Sequence, residues 1–299
     1  MSYILKKHNN SKIVKIAIYI SGFISICYGL MQILHFDVFN RLENIDRISG
    51  FHKNPYSYGG QLIVFFFIFL TSLVFYNGKN NLQRAIKFLF LIISFICVLN
   101  TNERAIVLGL FVGVVSFFIL KEKFYKDIFS SKLKFLVFIP IVLIVILNKK
   151  FLVRIRKTIF PPKGVESLIR LKLWGLALSL WKQNILFGLG KFPVVRYQPG
   201  DLSSVQYLTH AHNVYLQVLV TNGLCGLFAF LNLIFFVFKY LFKNIKTNQY
   251  VICLIAVLIA LLTEGFFEYF WGDSEVRYCL LYFCGFVFGT LMEVNTKKV

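Results

Sequence analysis

The residues best suited to chemistry in this chain are His210-Ala211-His212-Asn213, at the junction between a long basic segment and an apolar run. A histidine at a helix start can take a proton from a hydroxyl, and such a general base contributes roughly 10²–10⁴-fold in rate. His212 is the stronger candidate, with His210 beside it. The bland alternative is a helix-start residue with Asn213 as the cap. Beyond nine intervening residues stand Gly223 and Gly226, three apart on one helix face. That spacing predicts close helix packing and no chemistry.

Two arginines complete the set. Arg104 opens an apolar run directly after Asn100-Thr101-Asn102-Glu103, and Arg170 lies within the basic segment. Glu103, adjacent in sequence, points elsewhere on the helix and makes a poor partner for Arg104. An arginine at a membrane edge must snorkel, pair or bind a ligand, and its planar fork matches phosphate oxygens. Two arginines and a histidine on one face can hold a diphosphate beside a reacting hydroxyl. Glu264 and Glu268, four apart near the end of another run, can pair with the basic segment or relay protons. No HExxH, DxD, Walker loop, GxSxG or His/Cys ligand spacing is present, so neither a metal nor a cofactor is expected.

These residues need elements to hold them. Hydrophobic residues make up 58% of the 299, with 35 Phe and a mean hydropathy of +0.70. Such a chain cannot cover itself with a polar surface, so it is expected to be an all-α integral membrane protein. Much of the formal charge of +20 is assigned to lysines on cytoplasmic loops facing anionic lipid rather than to nucleic acid. The six cysteines lie in apolar runs without a CxxC pair and read as small buried hydrophobes.

Apolar runs predict eight transmembrane helices, near 14–35, 57–76, 85–101, 103–120, 133–149, 212–238, 249–270 and 276–293, with Pro140 kinking the fifth. The first is read as an uncleaved span. With the N-terminus inside, the inner segments carry seventeen Lys or Arg, and the three short outer connections carry five. Both termini are therefore expected in the cytoplasm. Residues 150–211 form one large outer loop. The stretch 149–212 holds eleven Lys or Arg against two acids, Glu166 and Asp201. Topology does not require such an excess; binding phosphate explains it, and lipid headgroups are the alternative. Within the loop, Ser167 to Lys182 reads as an amphipathic helix on the outer membrane surface, with Arg170, Trp174 and Trp181 on one face. Beyond Phe187-Gly188-Leu189-Gly190, Pro193, Pro199 and Gly200 predict irregular chain up to Tyr207. The whole of 1–299 reads as a single polytopic domain.

The pattern His212-Asn213, nine residues, then Gly223-x-x-Gly226 resembles that of the O-antigen ligase and polymerase family of bacterial envelope glycan enzymes. Arg170 to Trp174 through Phe187 to Gly190 looks like the family's Arg-x-x-x-Trp opening and Gly-x-Gly turn. Asn102-Glu103-Arg104 resembles its Ser-Arg element, with Glu103 in place of Ser. Arg47 to Pro55 looks like its Arg-x-x-Gly-x-x-x-x-Pro element. The similar region runs from about 47 to 290.

This resemblance implies a GT-C-like, metal-independent glycosyltransferase with an undecaprenyl-diphosphate-linked glycan as donor. Arg104 and Arg170 match the family's two key arginines, and His212 its histidine. The expected reaction is inverting transfer to a hydroxyl acceptor, a saccharide or lipid-linked glycan, on the outer face of the cytoplasmic membrane. His212 would be catalytic, with Arg104, Arg170, Asn213 and His210 binding substrate. Ligase and polymerase share the motif; small size and short loops outside 150–211 lean toward polymerase. The alternative reading is a transporter or flippase for an anionic lipid-linked saccharide. It is disfavoured because charges cluster on one face and no repeated halves are visible.

Overall fold

The computed structural model describes residues 10–36, 47–52, 54–76, 78, 80–125, 153, 167–197 and 206–296. In chain order these form helices α1 (Asn10–Ile33), α2 (Pro55–Val74), α3 (Asn81–Asn100), α4 (Arg104–Tyr125) and α5 (Ser167–Trp181). Then come strands β1 (Val195–Tyr197) and β2 (Gln206–Leu208) and helices α6 (Val214–Lys243), α7 (Gln249–Glu264) and α8 (Ser274–Thr296). Among the described residues six helices are long and apolar enough to cross a membrane: α1 to α4, α6 and α8. The chain is an all-α, multi-pass membrane protein, and the described residues include one two-stranded ribbon. The expected fifth span, 133–149 with Pro140, and residues 150–152, 154–166 and 198–205 of the large loop, Pro199, Gly200 and Asp201 among them, lie outside the described residues.

Asparagine starts four of the helices. Asn54, Asn80, Asn213 and Asn248 each sit in extended backbone and accept a hydrogen bond from a first-turn amide of α2, α3, α6 and α7. Each cap satisfies a donor that the helix itself leaves unpaired. Pro55 follows Asn54 at the first helical position, where its missing N–H costs nothing.

The core forms where α2 packs against α3, α7 and α8, and α4 runs along α7. Tyr58, Leu62, Phe66 and Phe67 of α2 are completely buried. α4 and α7 approach closely because α4 carries Gly109 and Gly113. A Cβ on Gly109 would lie 2.4 Å from the Ala260 carbonyl oxygen, and one on Gly113 would lie 2.9 Å from the Ala260 Cβ. Small residues four apart on one face permit this contact.

The connections between spans collect at two ends. At one, the Ile48 amide donates to the Asn100 carbonyl (3.1 Å), Arg47 donates to the Thr101 carbonyl (3.2 Å), and Arg47 forms an ion pair with Glu103. Glu103 thus pairs with a residue from a different connection. At the other end, the Tyr125 hydroxyl donates to the Ile245 carbonyl (2.9 Å), Lys15 lies over the Tyr250 ring, and Asn248 donates to Thr290 in α8. The described residues nearest both termini therefore share an end with 244–248.

Three expectations change in detail. The seventh apolar run ends as helix at Glu264, and 265–273 form a turn that carries Glu268. Residues 193–207 are not irregular throughout: β1 and β2 pair antiparallel, with Val195 opposite Leu208. The sixth run is a broken helix. Gly223 has φ 65° and ψ −165°, and the rings of Tyr215 and Phe230 lie 6.4 Å apart. A straight helix would separate those residues by about 22 Å, so the chain folds back at Gly223. Residues 224–243, at 1.5 Å each, still reach about 30 Å.

Candidate active site

The break at Gly223 orders the segment before it. An interrupted helix strands backbone donors and acceptors that must find other partners. The turn after α5 supplies them. Leu189 and Gly190 amides donate to Val220 and Thr221 carbonyls (2.8 and 2.9 Å), and Leu224 and Cys225 amides donate to Ile185 and Leu186 carbonyls (2.9 and 3.1 Å). Gly188, at φ 72°, fits here because a Cβ would lie 2.6 Å from the Asn222 and Gly223 backbones; a Cβ on Gly223 would lie 2.2 Å from the Leu186 oxygen. The neighbour of Gly223 is thus a loop backbone, not the helix the Gly-x-x-Gly spacing suggested.

This insertion ties α5 to the first part of α6. Ala177 of α5 packs with Phe192, Ala211 and Val220, and Leu180, Trp181 and Leu216 border them. The Trp174 indole N–H donates to the Ala211 carbonyl (3.1 Å), and that of Trp181 to the Ile185 carbonyl (3.0 Å). Arg170 and Trp174 do share a face, and it is turned toward the His210–Asn213 segment. The exposed side of α5 carries Leu171 and Leu178 beside Lys172 and Ser179.

The segment itself is pinned on both sides. Asn213 Oδ1 accepts from the Leu216 amide and its Nδ2 donates to the Phe266 carbonyl, each at 2.9 Å. The Val214 amide donates to Gly265 (2.8 Å), and the Ala211 amide to Gln217 Oε1 (2.9 Å). Asn213 is therefore a helix cap and a staple to the 265–273 turn. His212 sits in the left-handed region at φ 46°, an uncommon conformation for a residue with a side chain, held by these flanking bonds.

That conformation brings His212 to Glu268. Its Nδ1 lies 2.9 and 3.1 Å from the two carboxylate oxygens. His210 Nε2 lies 3.5 Å from Oε1, and Arg170 Nη2 lies 3.9 Å from Oε2. The Arg170 contact is Coulombic, being too long for a hydrogen bond. The Tyr269 amide also donates to Oε1 (3.1 Å). Glu268 has a side chain 5% exposed, whereas those of His212, Arg170 and His210 are 19, 27 and 33% exposed. A buried anion thus anchors three partly open basic groups.

Burial alone would raise the Glu268 carboxyl. Hydrogen bonds from His210 and His212, the charge of His212 and the Tyr269 amide outweigh it and hold the group at about 2. Glu268 is ionised at neutral pH. Asp273, at the end of the same turn, moves the other way: burial and nearby Glu268 raise it to about 6 despite a hydrogen bond with Ser57. Glu264 Oε2 is buried without a hydrogen bond among the described residues.

Of the residues singled out by sequence, Arg170, His210 and His212 meet at Glu268. Asn213 is adjacent but engaged with backbone. Arg104 begins α4. Gly109, more than a turn later, packs against Ala260 and Glu264, so Arg104 stands at the end of the bundle where 265–273 emerge. Pairing of Glu268 with the basic segment was one of two readings open in sequence, and it meets Arg170 and His210 there; its contact with His212 was not visible. Its only signals were an acid near a span end and its spacing from Glu264.

The fold and site together define a multi-pass helical membrane protein with a carboxylate-anchored cluster of basic side chains at one end of the bundle. Residues 88–231, just under half of the chain, match the model of one protein family, O-antigen ligase. The match supports a role of the O-antigen ligase/polymerase type, a membrane process acting on glycans. The match contains Arg104, Arg170, His210, His212 and Asn213, whereas Glu268 lies beyond it. No curated protein matches the chain.

Proposed function

We propose that this protein transfers a glycan from an undecaprenyl-diphosphate carrier to a hydroxyl acceptor, with inversion, on the outer face of the cytoplasmic membrane. The observation that carries this reading is the His212–Glu268 pair with Arg170 beside it. Glu268 accepts the Nδ1 proton of His212, which fixes the tautomer and leaves the Nε2 lone pair for the acceptor hydroxyl. This is the way a carboxylate orients a histidine base in hydrolytic triads.

In the transfer step, the acceptor oxygen gives its proton to Nε2 and attacks the anomeric carbon. The bond from that carbon to the diphosphate oxygen breaks, and the lipid diphosphate leaves with the electron pair. Arg170 and Arg104 bind the donor diphosphate and stabilise the charge that grows on it. His210 binds substrate beside the base, and Asn213 keeps His212 in place. No metal supplies chemistry in this scheme.

Both termini face the cytoplasm in this reading. The acceptor is a saccharide or a lipid-linked glycan, and the short loops outside 150–211 lean toward repeat-unit polymerisation. The test is transfer by the purified full chain in liposomes containing an undecaprenyl-diphosphate-linked glycan, with the product analysed for its attachment. Glycans lengthened on the carrier support a polymerase, and glycans moved to a second lipid support a ligase. Loss of all transfer in chelator, restored by Mg²⁺ or Mn²⁺, contradicts the scheme.

A further inference from the structure

The cluster has a second capability that the transfer scheme does not use. One ligand atom each from His210, His212 and Glu268 can be chosen so that all three lie within 4.8 Å of one another. The two imidazole rings have centroids 4.2 Å apart. A tetrahedral ion with bonds of about 2.0–2.1 Å needs ligand atoms roughly 3.3 Å apart. The observed separations from Glu268 Oε1, 2.9 Å to His212 Nδ1 and 3.5 Å to His210 Nε2, bracket that value.

The surroundings also suit a cation. Two neutral imidazoles and a carboxylate form a donor set preferred by Zn²⁺ and its neighbours over Mg²⁺. The Thr209 hydroxyl contacts His210 Nδ1 at 3.3 Å, which turns Nε2 toward Glu268. Metal-binding histidines ordinarily have such an orienting contact on the other nitrogen. The partial exposure of both histidines leaves a path for the ion and room for water as a fourth ligand.

We propose that His210, His212 and Glu268 form an inhibitory site for a borderline divalent cation such as Zn²⁺. The inhibition rests on His212 being the base, whereas the binding does not. A cation on Nδ1 takes the lone pair that this nitrogen gains when its proton moves to Nε2. The ring neither gains nor loses a proton overall, but Nε2 now carries the hydrogen and cannot accept another. Glu268 is likewise taken from its orienting role. Arg170, 3.9 Å from the other carboxylate oxygen, opposes the incoming charge and weakens the site.

Direct binding of Zn²⁺ to the purified, chelator-stripped full chain tests this, with Co²⁺ as the absorbing probe. The expected result is one saturable site per chain, with a Co²⁺ spectrum of low coordination number. Affinity should fall at least tenfold in His210→Ala and in Glu268→Gln, and rise in Arg170→Ala. Zn²⁺ should inhibit transfer over the concentration range in which it binds. Absence of saturable binding to the unaltered protein would overturn the proposal, as would binding unchanged in well-folded His210→Ala and Glu268→Gln. Binding at these residues without inhibition leaves the site standing and removes His212 as the base.

Discussion

His212 and Glu268, fifty-six residues apart in sequence, meet with Nδ1 2.9 Å from Oε1. Two independent devices bring them together. The left-handed backbone at His212 aims the ring, and hydrogen bonds from Asn213 and Val214 to Phe266 and Gly265 hold the two segments in register. His212 precedes α6 and Glu268 follows α7, so the pair is assembled by the two flanks of the α6–α7 hairpin.

Glu268→Gln should keep the shape of the site and remove the anion that selects the tautomer. Turnover is expected to fall by about 10²–10⁴ with little change in donor binding. Steady-state and single-turnover transfer assays check this. Equal turnover in the variant would show that the carboxylate only fills space.

Arg170→Ala should weaken donor binding as well as turnover, because it removes a charge-assisted contact with phosphate, each on the order of 1.5–3 kcal/mol. Arg170→Lys should recover part of the loss, since a point charge cannot reproduce the fork. Donor affinity measured separately from turnover distinguishes this from a simple loss of the Glu268 contact, which would leave affinity unchanged.

Gly223→Ala should destabilise the protein by about 2–4 kcal/mol, combining a left-handed backbone with a Cβ driven against the Leu186 carbonyl. Gly109→Ala should do likewise by forcing α4 from α7. Gly175→Ala, whose Cβ meets nothing within 4 Å, should be neutral or stabilising by up to about 1 kcal/mol. Thermal unfolding in one detergent ranks the three. A harmless Gly223→Ala would contradict the inserted-loop geometry.

The apolar pattern told most of the span story, because each span is a local property of some twenty residues. It located His212, Asn213 and Arg170 at span or loop boundaries for the same reason. The break in α6 was overlooked because apolar residues resume on both sides of Thr221-Asn222-Gly223, although Asn-Gly is a turn signal, and its partners come from the 185–190 turn. Close helix packing was expected at Gly223 and Gly226, whereas it occurs at Gly109 and Gly113, which were buried in an equally apolar run. Glu268 was legible as an acid of consequence. Its pairing with His212 depends on where α7 ends, a boundary that hydropathy placed six residues late.

Asp273 makes stability depend on pH. Its neighbours are Ser57 in α2, Glu268, Glu275 and His210, and its carboxyl is raised from 3.8 to about 6. A folded-state value above the unfolded one favours folding fully only below the unfolded value, and this contribution is lost as pH rises through about 6. Asp273→Asn should therefore raise unfolding stability at pH 7.5 by about 1–2 kcal/mol after allowance for partial exposure, and change it little at pH 4. The same gain at both values would show that ionisation is not the cause.

The central claim is that His212 accepts the acceptor's proton. The most direct measurement is single-turnover glycan transfer by His212→Ala, in protein shown to insert and fold normally and to bind donor. The account predicts a loss of roughly 10²–10⁴ in the transfer step with donor affinity largely intact. Near-normal transfer by the well-folded variant would contradict it and leave His212 as a helix-start residue paired with Glu268.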